Sequence, residues 1–123
     1  MSDVELPELV ERLGDAGLVL LDVRGAAEFA GNVVAPCDPR AGHIPGARHL
    51  DLARLLEAGD PEAVRVLVGE LAGAEVIAYC HSGSRSALAA HLLSASGYEA
   101  RNYVGSWHEW SRDPELPVET GPV

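Results

Sequence analysis

Cys80 carries the side chain of this sequence with the clearest potential for nucleophilic chemistry. It follows the apolar run EVIAY (75–79) and precedes a polar segment, HSGSR (81–85), which leads into a second apolar run. A thiol in this place could be a buried core residue, a metal ligand, half of a disulfide or a nucleophile. The two cysteines, Cys37 and Cys80, lack the paired spacing of zinc sites and are too few for a disulfide scaffold.

The polar segment after Cys80 favours the nucleophile. Gly83 permits a turn with positive φ, in which successive N–H groups can point inward and bind an anion. A helix that begins near Ser86 adds its positive dipole end, and Arg85 adds a charge if its side chain folds back. Such surroundings lower a thiol pKa from about 8.5 to between about 3.5 and 7.5. Because the thiolate is the reactive form, we predict that Cys80 is a nucleophile.

The flanking elements must position this thiol. Apolar runs predict strands at 18–24 and 75–79, a further strand at 99–104 and a brief one at 48–52, whereas helical spacing predicts helices at 7–17, 60–73 and 86–96. GAAEFAG (25–31) suits one short helical turn, 32–47 is rich in Pro and Gly and predicts a loop, and GSWHEW (105–110) predicts an aromatic turn. Alternating strands and helices indicate a three-layer α/β domain with a parallel sheet.

The predicted sheet brings two distant segments to one edge. In open α/β sheets, ligands bind beyond the carboxyl ends of the strands. The segment from Asp22 to Arg24 and the segment from Cys80 to Arg85 both follow such ends. We therefore expect them to face a common site.

The composition bounds the class of protein. The length of 123 residues predicts one domain over 1–123, and the net charge of −10 argues against nucleic-acid partners. All nine basic residues are Arg, so no lysine amine is available as a nucleophile. No apolar run is long enough to span a membrane, and the N-terminal segment lacks the pattern of a signal peptide. We expect a cytoplasmic protein with free thiols, without membrane partners.

The spacing between Cys80 and Arg85 selects among reactions. Four residues separate them, and cysteine phosphatases, by resemblance, use a loop one residue longer that accommodates a tetrahedral phosphate. The shorter loop suits a single additional sulfur atom, carried on the cysteine as a persulfide. A phosphatase or arsenate reductase is accordingly less favoured.

Four motifs, in order, resemble the rhodanese family of sulfurtransferases. They are LLDVRGAAEF (20–29), AGHIPGARHLDL (41–52), YCHSGSRS (79–86) and NYVGSWHEW (102–110). The resemblance covers about residues 18–117, which we take as the core of the domain. It implies a rhodanese-like α/β fold, in which a five-stranded parallel sheet is flanked by helices.

The resemblance also implies a reaction. The Cys80 thiolate would take sulfur from a small anionic donor such as thiosulfate and pass it from a persulfide to a thiophilic acceptor, cyanide or a thiol. A sulfur-relay protein is a further candidate partner, and no metal or organic cofactor is implied. The N–H groups that would hold the persulfide belong to His81, Ser82, Gly83, Ser84 and Arg85.

The family pattern suggests roles for three residues near the first strand. Asp22 and Arg24 match the Asp-x-Arg of the family, in which Asp22 supports the loops. Arg24 could guide an anionic donor, or it could only pair with Asp22. Glu28 occupies the place where thiosulfate-specific animal enzymes have a second Arg, which predicts a less positive donor site.

Other residues leave the donor open. Ser82 matches relatives that use 3-mercaptopyruvate, whereas His81 departs from both patterns and could assist ionisation of Cys80. His43 is predicted to bond the backbone, Cys37 is expected to have no catalytic role, and nothing in the spacing joins the other histidines into a metal site. The alternatives are a 3-mercaptopyruvate or protein-persulfide sulfurtransferase and a non-catalytic binding module with the same fold.

Overall fold

The computed structural model describes residues 3–69 and 75–122. The elements follow in the order α1 (Leu6–Arg12), β1 (Leu18–Asp22), α2 (Ala26–Ala30), β2 (Arg48–His49), α3 (Leu52–Ala58), α4 (Pro61–Val68), β3 (Glu75–Tyr79), α5 (Ser84–Ala95), β4 (Glu99–Asn102) and α6 (Ser106–Trp110). None of the helices in these ranges has the length and apolarity needed to cross a membrane. The predicted α/β class is confirmed.

The sheet is parallel, with the strand order β2-β1-β3-β4. The two central strands, β1 and β3, are short apolar runs covered on both faces, as strands of a parallel sheet require. Val76, Ala78 and Cys80 point into a core shared with α3, α4 and α5. Ile77 and Tyr79 point the other way, into a core shared with α1 and α6. Alternation along β3 therefore builds the three layers.

The expectation of five strands is wrong for the described part of the chain, which has four. Where a fifth strand would pair with β4, Val4 forms a single parallel bridge to Tyr103, and its N–H donates to the Asn102 carbonyl at 2.8 Å. The pairing cannot continue because α1 begins at Leu6, with Pro7 in its first turn.

Helix boundaries differ from the prediction in several places. α1 ends at Arg12, well before the predicted residue 17. The helix predicted over 60–73 is observed from Pro61 to Val68, and residues 70–73 lie outside the described ranges. α3 was not predicted; Asp51 caps it by accepting the Ala53 N–H at 2.9 Å. The predicted aromatic turn contains the short helix α6.

Candidate active site

Cys80 follows β3 directly and precedes α5, as predicted. Its side chain is almost completely buried, on the face of the sheet that α5 covers. α5 begins at Ser84, two residues earlier than predicted, so the segment between strand and helix is very short. The thiol therefore lies beneath the first turn of α5.

Three hydrogen-bond donors converge on the Cys80 sulfur. The Gly83 N–H donates to Sγ at 3.1 Å, the Ser86 N–H at 3.4 Å and the Ser86 hydroxyl at 3.2 Å. Burial raises the pKa of the Cys80 thiol, but these hydrogen bonds, with a further one from the Ser82 backbone, outweigh it and leave the pKa below its usual value. The surroundings of the sulfur thus favour a thiolate.

Ser86 was missed by the sequence prediction. The N–H groups predicted to hold the persulfide, which we call the cradle, ended at Arg85. Ser86 nevertheless supplies two of the donors to the Cys80 sulfur, and its hydroxyl also contacts the Gly83 carbonyl at 3.3 Å. A serine in the first turn of the helix that follows a reactive cysteine is the signal that could have identified it. The side chains of Ser82 and Ser84 are exposed.

Gly83 fits its place for two reasons. Its φ of +100° is the left-handed conformation that favours glycine. A Cβ on this residue would lie 2.6 Å from the Val104 carbonyl oxygen, and the Gly83 carbonyl accepts from the Asn102 side-chain amide at 3.1 Å. The segment after Cys80 is therefore pressed against the segment after β4.

The first turn of α6 holds the other side of Cys80. The Cys80 N–H donates to Ser106 Oγ at 3.1 Å, and the Trp107 N–H donates to the Cys80 carbonyl at 2.9 Å. The His108 N–H donates to the His81 carbonyl at 2.9 Å. Ser106 has a φ of +55°, and no other non-glycine residue in the described part of the chain has a positive φ. This strained backbone conformation places the Ser106 hydroxyl within hydrogen-bond distance of both the Cys80 N–H and the Tyr103 carbonyl, the latter at 2.9 Å.

Arg85 is paired with Glu28. Its guanidinium donates to the two carboxylate oxygens at 3.0 and 3.2 Å. Burial raises the pKa of Glu28, but the Arg85 bonds and the Gly25 N–H overcome this effect and lower it. The charge of Arg85 is thus largely compensated by Glu28, and a less positive donor site stays a prediction.

Arg24 and Asp22 form a buried ion pair. Arg24 Nη2 lies 2.8 Å from Asp22 Oδ2 and donates to the Gly42 carbonyl at 2.6 Å, and the guanidinium lies 5.1 Å from the centre of the Trp107 ring. The two side chains are only 3% and 0% exposed. This geometry favours a structural role, and donor guidance by Arg24 stays a prediction.

Three of the five histidines bear on the predicted site, and they divide into two groups. His43 contacts the Phe29 carbonyl through Nδ1 at 2.7 Å, which agrees with its predicted bond to the backbone. His81 turns its ring towards Asp38, with Nε2 2.9 Å from Oδ2. His108 contacts the same carboxylate, and the exposed Cys37 lies beside it. Sequence spacing did not predict this meeting, because its members come from three separate segments.

Comparison with known proteins gives consistent matches. The rhodanese-like domain family matches residues 5–113. The chain is 38% identical over 127 residues to a probable 3-mercaptopyruvate sulfurtransferase of Pseudomonas aeruginosa, which covers 96% of this chain and 44% of that protein. It is 37% identical over 119 residues to a thiosulfate sulfurtransferase of the same organism, covering 90% of this chain and 43% of that one.

A solved structure has a similar fold and a related sequence. The crystal structure of a probable thiosulfate sulfurtransferase is 43% identical and superimposes with a TM-score of 0.80, covering 95% of this chain and 47% of that one. The chain therefore spans less than half the length of the curated relatives and of this structure.

Proposed function

The chain belongs to the rhodanese-like domain family, and on this premise we propose that it is a sulfurtransferase that moves sulfane sulfur from thiosulfate to a thiophilic acceptor through a persulfide on Cys80. Two observations support the proposal: the relatives carry sulfurtransferase names, and three donors converge on a buried thiol at the carboxyl edge of the sheet. The second observation carries it, because it belongs to this chain itself.

The reaction has two displacement steps. The Cys80 thiolate attacks the outer sulfur of thiosulfate; a new S–S bond forms, the bond within thiosulfate breaks, and sulfite leaves with its electron pair. The acceptor, cyanide or a thiolate, then attacks the outer sulfur of the persulfide. Thiocyanate or an acceptor persulfide is released, and Cys80 returns to the thiolate, so the cycle is balanced.

The residues around Cys80 act through electrostatics. The Gly83 and Ser86 N–H groups and the Ser86 hydroxyl stabilise the negative charge when Cys80 is the attacking group and again when it is the leaving group. Bonds to Ser106 and Trp107 fix the backbone of Cys80, so the donors need no rearrangement during the reaction. His81, Ser82, Ser84 and Arg85 complete the proposed cradle.

Arg24 and Asp22 have a supporting role in this proposal. The carboxylate of Asp22 neutralises the positive charge of Arg24 that could otherwise attract an anionic donor. Through the Gly42 carbonyl, Arg24 instead ties the loop before β2 to the end of β1. Guidance of the donor by Arg24 requires that this pair open.

A different donor is the second candidate. Glu28 neutralises Arg85 next to the site, and one of the relatives is named a 3-mercaptopyruvate sulfurtransferase. The pairing of Arg85 favours a donor that needs less positive charge than thiosulfate, such as 3-mercaptopyruvate or the persulfide of a sulfur-relay protein, and the name of the relative favours 3-mercaptopyruvate.

The setting of the proposal is a single domain in a reducing compartment. One sheet with a core on each face supports a single domain over 1–123. A free Cys80 thiol is maintained most readily in the cytoplasm, where we place the activity.

Thiocyanate formation from thiosulfate and cyanide tests the proposal. We expect turnover by the wild-type chain and none above background by Cys80→Ala, with circular dichroism to verify that the variant folds. Replacing thiosulfate by 3-mercaptopyruvate in a parallel assay ranks the donors by kcat/KM. If the wild type and Cys80→Ala give equal product with every donor, the chain is a non-catalytic binding module.

A further inference from the structure

Four side chains with metal-binding atoms meet beside the Cys80 segment. Cys37 Sγ lies 3.9 Å from His81 Nε2 and 4.0 Å from His108 Nδ1. Asp38 Oδ1 lies 3.8 Å from the same sulfur and 3.0 Å from His108 Nδ1. One ligand atom from each residue can be chosen so that all lie within 4.8 Å of one another. We refer to these residues as the Cys37 cluster.

The buried carboxylate is the most informative member. The side chain of Asp38 is 1% exposed, and within residues 3–69 and 75–122 its ion-pair partners are His81 and His108, which carry a charge only when protonated. Its Oδ2 has no hydrogen-bond partner among the described residues, although His81 Nε2 lies 2.9 Å away without hydrogen-bond geometry. A buried anionic oxygen without a bonded partner is costly. A cation between these atoms would satisfy it.

The set of atoms suits zinc. Zn²⁺ prefers Cys sulfur, His nitrogen and carboxylate oxygen in tetrahedral arrangement, with Zn–S bonds of about 2.3 Å and Zn–N bonds of about 2.0–2.1 Å, so neighbouring ligand atoms are roughly 3.3–3.6 Å apart. The separations between ligand atoms run from 2.9 Å, between His81 Nε2 and Asp38 Oδ2, to no more than 4.8 Å, so they lie on both sides of this range. One thiolate, one carboxylate and two neutral imidazoles balance the double charge of the ion.

We propose that Cys37, Asp38, His81 and His108 bind a single zinc ion. Four protein ligands complete a tetrahedron, which is the arrangement of a structural rather than a catalytic zinc site. Cys37 would bind as the thiolate and release its proton to solvent. Cys37 is exposed and the two histidines are partly exposed, so an ion can reach the ligands from solvent.

The ion would join three segments of the chain. Cys37 and Asp38 come from the loop before β2, His81 from the segment after Cys80, and His108 from α6. The segments after Cys80 and in α6 are already linked by the bond from the His108 N–H to the His81 carbonyl. The loop before β2 already contacts α6, because Trp107 Nε1–H donates to the Arg40 carbonyl at 2.9 Å. Zinc would link this loop directly to His81, the residue next to Cys80, so His81 is a positioning residue in this proposal.

Cobalt substitution tests the ligand set without use of the sulfur-transfer reaction. Chelator-treated protein comprising residues 1–123 is titrated with Co²⁺ under anaerobic conditions. We expect one equivalent to give the intense visible bands of tetrahedral Co²⁺ and a thiolate-to-cobalt charge-transfer band in the near ultraviolet. Addition of Zn²⁺ should abolish both, and Zn²⁺ should raise Tm by several degrees.

Matched variants identify the ligands. Cys37→Ser should remove the charge-transfer band, and His108→Ala should weaken Zn²⁺ binding by more than the about 10–100-fold that a change outside the ligand shell causes. His91→Ala, which alters an exposed histidine on α5, should bind as the wild type. Cys80→Ala should also retain both bands, and this separates the zinc site from the proposed sulfur chemistry.

Two outcomes would overturn the zinc proposal. One is an octahedral Co²⁺ spectrum, or no uptake at equimolar metal, in the wild-type protein. The other is a charge-transfer band that persists in Cys37→Ser and disappears in Cys80→Ala, which would place the metal on the reactive thiol instead. Neither outcome would affect the proposed sulfur transfer, since thiocyanate formation is measured independently.

Discussion

The carboxyl ends of β1 and β3 are neighbours in one sheet, but the polar side chains that follow them have different kinds of partner. Asp22 pairs with Tyr79 in register, so Arg24 and Cys80 leave the sheet at nearly the same level. At the end of β1, the buried charges of Asp22 and Arg24 satisfy each other. At the end of β3, the contacts that the Cys80 sulfur receives from the described residues are hydrogen bonds, and none of these residues places a cation on it.

This difference separates an anchor from a reactive site. A buried ion pair that is complete within the protein holds loops and has little left to offer a ligand. A thiolate that is stabilised by N–H and O–H donors keeps its negative charge and can attack an electrophilic sulfur. Both arrangements follow from the same edge of the sheet, so position alone does not define the site; the partners of each side chain do.

The largest expected effect comes from removing half of the anchor. Arg24→Ala leaves Asp22 buried and unpaired, and we expect a loss of about 3–5 kcal/mol in the free energy of unfolding. Urea denaturation measures this free energy. Arg48→Ala, which changes an exposed residue on the neighbouring strand β2, is the control. A variant of unchanged stability that has lost thiosulfate kcat/KM would contradict the anchor and make Arg24 a donor-binding residue.

Gly83 should respond next most strongly, and the chain offers a matched control. Gly83 and Gly97 have φ values of +100° and +99°, but only at Gly83 would a Cβ meet another atom, the Val104 oxygen. Ala at either position costs about 1–2 kcal/mol for the left-handed backbone. We expect Gly83→Ala to lose further stability and most turnover, because the Gly83 N–H shifts from the sulfur.

Gly97→Ala should keep wild-type turnover, since Gly97 lies at the far end of α5. Chemical denaturation and thiocyanate assays on both variants provide the comparison. Equal losses in the two variants would mean that backbone strain, rather than the contact with Val104, explains the effect.

Ser86→Ala should affect the reactive end without affecting the anchor. Losing the hydroxyl removes one of the hydrogen bonds that lower the pKa of Cys80, so a smaller fraction of the thiol is ionised near neutral pH. We expect the rate of Cys80 alkylation by iodoacetamide at neutral pH to fall several-fold, with a small change in stability. Ser96→Ala, at the other end of α5, should react as the wild type; an equal decrease there would exclude a specific role for Ser86.

The smallest effect should come from Glu28→Gln, which frees the charge of Arg85. The ion pair is partly exposed and should contribute no more than about 1 kcal/mol to stability. Because the folded-state pKa of Glu28 lies below its ordinary value of 4.5, this contribution is present above that pH and is lost as the pH falls through the folded-state pKa.

Two readouts check the Glu28 prediction. The stability difference between wild type and variant should disappear in acid, as measured by denaturation between neutral and low pH. Thiosulfate kcat/KM should rise a few-fold in the variant and decrease with added salt. An unchanged thiosulfate kcat/KM in Glu28→Gln would mean that Arg85 does not face the donor.

Much of this edge could be predicted from sequence, because it depends on local signals. The apolar runs fixed β1 and β3, and a cysteine followed by Gly83 and a helix indicated a stabilised thiolate. α3 was missed because its seven residues are too few for a clear helical period, and no element was predicted after the brief strand at 48–52. The pairing of Arg85 with Glu28 joins residues 57 positions apart, and no local pattern encodes it. The Cys37 cluster required the fold for the same reason.

The central claim is that Cys80 carries the transferred sulfur, and mass spectrometry tests it most directly. Reduced protein is treated with thiosulfate, desalted without reductant, and analysed intact and after digestion. We predict a gain of one sulfur atom, about 32 Da, located on the peptide that contains Cys80 and removed by cyanide. An unmodified Cys80 after treatment with thiosulfate, 3-mercaptopyruvate and a low-molecular-weight persulfide, or an adduct on Cys37 alone, would contradict it.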